Sequence, residues 1–164
     1  MKFFHPVDPR LHEELGAEVR GMEERMVENV FAELRRSTEE FKEKMQKLLD
    51  ELVKVVKVVE KVANDAQIEV RSGDLAIVKR KWVFGSGKIT SYIVTVNDKL
   101  IPSEINDIGG STYVYGDFNN YEEFASVEEI VYAAENIENL ILKLKNALKE
   151  RSEALDELLS KLNI

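Results

Sequence analysis

Apolar residues recur at helical spacing through both ends of this chain, and a stretch that alternates like β-structure lies between them. At the C-terminal end one row reads Ile130, Ile137, Leu144, Arg151, Leu158 and the other Ala134, Ile141, Leu148, Leu155, Leu162, with steps of four and three alternating throughout. Sustained over several heptads, this spacing predicts a helix that pairs with another as a coiled coil. Arg151 is the one cation in the seam; such a residue sets register, or more simply packs its stem and reaches water with its head. Ser126 and Glu129 form a capping box ahead of the repeat, which places the helix over 126–163.

The N-terminal stripe is longer and less regular. Asp8 is a suitable cap and Pro9 suits a first helical position, because its missing N–H costs nothing there. Apolar positions then run from Leu11 to Val62, with a mean step near 3.6 residues beyond Met22, which is a packing face rather than a strict heptad. At Ser37 the stripe turns polar, and Ser37 with Glu40 fits a capping box, so the helix over 8–64 has a weak point there. With neither Gly nor Pro to mark a turn, one continuous helix is expected.

Between the helices, over 66–118, four segments rich in β-branched and aromatic residues read as strands: Gln67 to Arg71, Leu75 to Phe84, Ile89 to Val96 and Thr112 to Tyr115. Gly85, Ser86 and Gly87 make the central turn. Alternation places Val78, Trp82 and Phe84 on one face of the second strand, with Tyr92, Val94 and Val96 expected to pair with them. Pro102 and the pair Gly109 and Gly110 mark Leu100 to Gly110 as a loop, with room for a short strand at Lys99 to Ile101. Short turns imply an antiparallel meander of three to five strands. The expected fold is therefore α+β and a single domain over 1–164, its helices paired as an antiparallel hairpin or an oligomeric coiled coil.

Composition narrows the function classes. An apolar fraction of 44% and a charged fraction of 33% belong to a soluble, folded chain. Abundant Glu and Lys, with only Gln46 and Gln67 and no cysteine, would suit a thermophile. Absent cysteine also excludes disulfides and thiolate chemistry. No run reaches membrane-span length and the first nine residues do not read as a signal peptide, so a cytoplasmic location without a membrane partner is expected. The net charge of −8 is carried entirely by the helical ends, which makes nucleic acid an unfavourable partner for them.

Chemistry-bearing patterns are sparse, and no cofactor is expected. His5 and His12 sit with Asp8 and Glu13 near a helix start, a weak metal pattern. Asp117, Asn119 and Glu128 fall on three positions of a calcium loop, but Glu122 stands where that loop needs glycine. Gly85 to Lys88 lacks the spacing of a phosphate loop. The one basic–aromatic cluster is Lys79, Arg80, Lys81 and Trp82, with Lys88 and Tyr92 on the next strand, a set that can contact phosphates and stack a base. Alternation turns Lys79 and Lys81 away from Trp82, and lysines on a strand also serve simply to block edge pairing.

The order helix, β-meander, helix resembles the layout of prefoldin subunits, in which two long helices form a coiled coil rooted in a small β platform. The resemblance rests on element order and length, with no diagnostic motif. Two functions follow. The first is a non-enzymatic interaction or assembly protein, a dimer or a binder of another protein, whose seam includes Val55, Val56, Val59, Leu144, Leu148 and Leu155. The alternative is a ligand- or nucleic-acid-binding domain with a pocket by Trp82, Tyr92 and Tyr113, made polar by Lys81, Asp107 or Asp117.

Overall fold

The structure is a computed structural model that describes residues 9–108, 111–115 and 124–163, with side chains described over 21–83, 85–103 and 124–163. It is an α+β protein. Two long helices, α1 (Pro9–Ala66) and α2 (Val127–Leu162), flank a run of strands: β1 (Val70–Ser72), β2 (Leu75–Phe84), β3 (Gly87–Val96), β4 (Lys99–Leu100), β5 (Ser103–Ile108) and β6 (Ser111–Tyr115). The chain divides into two compact units, Met1–Met45 and Gln46–Ile164.

In the first unit α1 runs through Ser37 without a break. The polar residue beside it stays inside the helical hydrogen-bond pattern: the Thr38 hydroxyl donates to the Leu34 carbonyl at 2.7 Å. Bonding back one turn satisfies the hydroxyl without opening the helix. Asp8, His5 and the expected cap lie outside the described residues.

The second unit holds the core and the sheet. Here α1 ends in a left-handed closure, with Gln67 at φ 55° and the Ile68 N–H donating to the Ala63 carbonyl at 3.2 Å. That six-to-one bond is the Schellman arrangement, and it drives Ile68 into the core. It also delays β1 to Val70, three residues after the alternation suggested.

Strands β1 to β4 form an antiparallel meander in that order. All of its turns have two residues: Gly73–Asp74, Gly85–Ser86 and Asn97–Asp98. Asn97 and Asp98 both have positive φ, 51° and 64°, the type I′ geometry that matches strand twist. Gly87 belongs to β3, opposite Phe84, rather than to the turn.

The register corrects the expected cross-strand pairing. Val78 stands opposite Ile93 and Trp82 opposite Ile89, whereas Tyr92, Val94 and Val96 oppose Lys79, Ile77 and Leu75 on the other face. The alternation was right within each strand; the turn length set which faces met. A second correction concerns Leu100 to Gly110, expected as a loop. Ser103–Ile108 is a strand that pairs antiparallel with β6 in a separate two-stranded sheet, with an irregularity between Ile105 and Ile108. Pro102 precedes the strand, where its lack of an N–H costs no ladder bond.

The core gathers Leu49, Leu52, Val56 and Ala63 of α1, Leu75, Ile77, Ile93 and Val94 of the sheet, and Ile130, Ala133, Leu140 and Leu144 of α2. Both faces of the β2–β3 ribbon are covered near Leu75 and Val96, while its far end, from Lys79 to Thr90, is mostly exposed.

Candidate functional site

Helix α2 begins where the sequence places it. Ser126 is the N-cap and its hydroxyl accepts from the Glu129 N–H at 3.2 Å, with Glu128 and Glu129 near the positive end of the helix dipole. The Glu129 carboxylate meets Lys99 at 2.8 Å, tying the helix start to β4.

From there α2 follows the outer edge of β1. The Asp74 N–H donates to the Tyr132 hydroxyl at 3.3 Å, Lys143 Nζ donates to the Arg71 carbonyl at 3.0 Å, and Arg151 donates to the Gln67 carbonyl at 3.4 Å. Arg151 is thus aimed at the carbonyl end of α1, where a cation complements the helix dipole.

The opposite edge of the sheet is closed by α1. β4 pairs only with Thr95 and Val96, and the Ile101 N–H reaches the Val94 carbonyl at 3.4 Å, which leaves the outer edge of β3 open at Tyr92 and at the Val94 N–H. Asn64 fills the place of a strand: its Nδ2 donates to the Tyr92 carbonyl at 3.0 Å and its Oδ1 accepts the Tyr92 N–H at 2.9 Å. One turn earlier, Glu60 Oε2 accepts the Val94 N–H at 2.7 Å. Glu60 is 4% exposed, and burial pushes its carboxyl up to about 8, against the pull of the Ser103 hydroxyl and the Val94 amide. A backbone edge in an apolar setting needs such partners.

The expected seam of α2 divides along its length. Ile130 and Leu144 are buried, Ala134, Ile137 and Leu148 half-buried, and Ile141, Arg151, Leu155, Leu158 and Leu162 exposed. Ala133 and Leu140, outside the four–three seam, are buried. The apolar stripe is therefore wider than a coiled-coil seam, with one flank against the core and the other turned outward.

Where that outer flank meets α1 a groove opens, about 590 Å³ in volume, lined by Val55, Val58, Val59 and Val62 of α1 and by Ile141, Leu144 and Leu148 of α2. Lys54 and Lys145 stand at its rim, and Lys54 pairs with Glu51 at 3.0 Å. Its lining offers no carboxylate, imidazole or hydroxyl for acid–base or nucleophilic work. Val56, expected in the seam, is instead fully buried.

In the first unit, Met22, Met26, Val30, Leu34 and Phe41 are exposed by 38–65%. A second concavity of about 480 Å³ sits among Phe31, Leu34 and Thr38, with Glu28, Arg35 and Glu39 around it.

The basic–aromatic cluster is split by the sheet. Lys79, Lys81, Lys88 and Tyr92 share one face, Arg80 and Trp82 the other, and Tyr92 is buried. The side chains of Tyr113 and Asp107, and Asp117, Asn119 and Glu122 of the calcium-like spacing, lie outside the described residues, as do the side chains of His12 and Glu13. Among the described residues no group of three metal-ligating side chains converges, and no helix is long and apolar enough to cross a membrane.

Glu60 and Asn64 are the functional-looking polar residues that sequence reading missed. Their signal was present: Glu60 stands in the apolar row Val56, Val59, Ala63, where a solvated carboxylate does not belong.

Comparison of the chain with protein-family models, curated proteins and solved structures gives no significant match.

Proposed function

We propose that this protein is a non-enzymatic protein–protein interaction or assembly module, in which the β platform holds two helices whose outward apolar flanks bind protein. The supporting observation is the row of large apolar side chains left in solvent at helical spacing. On α2 these are Leu155, Leu158, Leu159 and Leu162, exposed by 54–81%, and α1 carries Met26, Leu34 and Phe41. Contiguous exposed apolar surface of this kind marks interaction sites. A homodimer is the first partner to test, because a helix that is amphipathic along its whole length gains most of its stability from packing. A cytoplasmic location fits the cysteine-free sequence. Nucleic acid is disfavoured by the net charge of −8.

Light scattering coupled to size exclusion tests the reading. The full chain is expected to exceed its 18.8 kDa protomer mass in a concentration-dependent way, and Leu34→Asp combined with Leu155→Asp to lower the mass while leaving the far-UV dichroism unchanged. A mass of 18.8 kDa at every concentration would overturn it.

A further inference from the structure

Two apolar surfaces of the Gln46–Ile164 unit match one another but cannot meet within one chain. One is the groove floored by Val55, Val58, Ile141 and Leu148. The other is the far end of α2, where Leu155, Leu158, Leu159 and Leu162 are exposed. Ile141 and Leu148 of the groove and the far end belong to a single unbroken helix, Val127–Leu162, so the far end cannot fold back onto the groove that its own earlier turns line. A second molecule has to supply the helix.

Charge selects which one. Over residues 140–150, Lys143, Lys145 and Lys149 against Glu150 give α2 a net +2. Over residues 152–162, Glu153, Asp156 and Glu157 against Lys161 give −2. Two copies of α2 laid antiparallel about an axis near Arg151 set each basic half against the other copy's acidic half. A parallel pair sets like against like, which costs stability. The antiparallel pair also fills both grooves at once and closes on itself, as a two-fold contact must. Arg151 comes close to its own copy near the axis, and there each guanidinium has the Gln67 carbonyl as acceptor and Glu150 as neighbour in sequence.

We propose that the groove of each protomer receives the far end of α2 from a second copy of this chain, forming an antiparallel α2–α2 dimer. This rests on the assembly reading above and adds partner and orientation to it.

Cross-linking tests it cleanly, because the chain has no cysteine of its own. Lys145→Cys and Leu159→Cys are both at exposed positions and leave the core untouched. In the antiparallel pair, residue 145 of one copy lies beside 159 of the other, whereas each residue is about 20 Å along the axis from its own counterpart, at 1.5 Å per residue. An equal mixture of the two variants treated with a short bis-maleimide is expected to give mixed dimers, and either variant alone almost none. Self-cross-linking of Leu159→Cys alone would show a parallel pair and overturn the orientation. A dimer by light scattering that cross-links at neither position would place the contact elsewhere and overturn the proposal, while leaving the assembly reading intact. A monomer by light scattering would overturn both. Ser160→Cys mixed with Lys145→Cys repeats the test one residue on, at a site that removes no leucine.

Discussion

Glu60 occupies a position on α1 where the helical spacing asks for an apolar side chain, and it stays there because β3 presents an amide that needs an acceptor. The residue has an ordinary pKa of 4.5 and is pushed up to about 8 in the fold. Below 4.5 it is protonated in both the folded and the unfolded chain, and it adds no pH dependence. Between the two values the unfolded chain ionises while the folded one holds its proton, so stability falls as pH rises, on the order of 1.4 kcal/mol per pH unit. Above about 8 the loss levels off. Glu60→Gln keeps an acceptor for the Val94 N–H without a charge. Chemical denaturation at pH 5, 6.5 and 8 is expected to show a flatter stability profile for the variant, with its largest gain at pH 8; a parallel pair of profiles would sink this account. At Gln67 the backbone sits at φ 55°, a conformation that a side chain disfavours by roughly 1 kcal/mol and glycine does not. Gln67→Gly is accordingly expected to raise the melting temperature by a few degrees, net of glycine's greater freedom in the unfolded chain. Neither residue announces its role in sequence. Glu60 shows only as a charge in an apolar row, and Gln67 shows no sign at all, because its conformation follows from where Ile68 must go.

At the scale of elements, helix boundaries were legible wherever a local bond sets them. Ser126 accepts the Glu129 N–H, so Ser126→Ala removes one cap and is expected to cost about 1 kcal/mol, measurable as a shifted urea midpoint at constant slope. The full span of β2 was likewise readable, from a run of alternating residues. What local rules could not supply was anything decided across the sequence. The weak point at Ser37 is not such a case: the helix runs through it as expected, with the Thr38 hydroxyl bonded one turn back. The segment after Pro102 became a strand because β6 lies antiparallel to it, a pairing that turn residues do not reveal. The heptad of α2 identified the right helix but not how its faces divide. Of its seam Ile130 and Leu144 are buried, as are Ala133 and Leu140 outside it, while Leu155 and Leu162, expected to pair with another helix, stand in solvent. Of the candidate cluster around Trp82, alternation already set Lys79 and Lys81 on the other face; what it could not show is that Lys88 and Tyr92 join those lysines, which the two-residue turn at Gly85–Ser86 determines.

At the scale of the molecule, the two sheet edges and the outward flank of α2 have opposite fates. The edge of β3 is covered at Tyr92 and Val94 by Asn64 and Glu60, and Lys143 bonds the outer carbonyl of β1 at Arg71, so the sheet edges nearest the core have side-chain partners. Leu155, Leu158, Leu159 and Leu162 of α2 have no comparable cover and stand in solvent. If association buries them, folding and dimerisation are linked, and stability must depend on protein concentration. For a dimer that unfolds to separate chains, each tenfold rise in concentration adds about 0.7 kcal/mol per protomer, which for a chain of this size moves the midpoint by roughly 2 °C. Thermal melts followed by far-UV dichroism at three concentrations spanning a hundredfold are therefore expected to rise steadily. Leu155→Asp with Leu162→Asp is expected to remove that dependence and to match the dilute wild-type chain, since the two side chains make no contribution to the protomer's own core. Midpoints independent of concentration in the wild type would mean that the leucines stay in solvent, and the dimer would have no thermodynamic support.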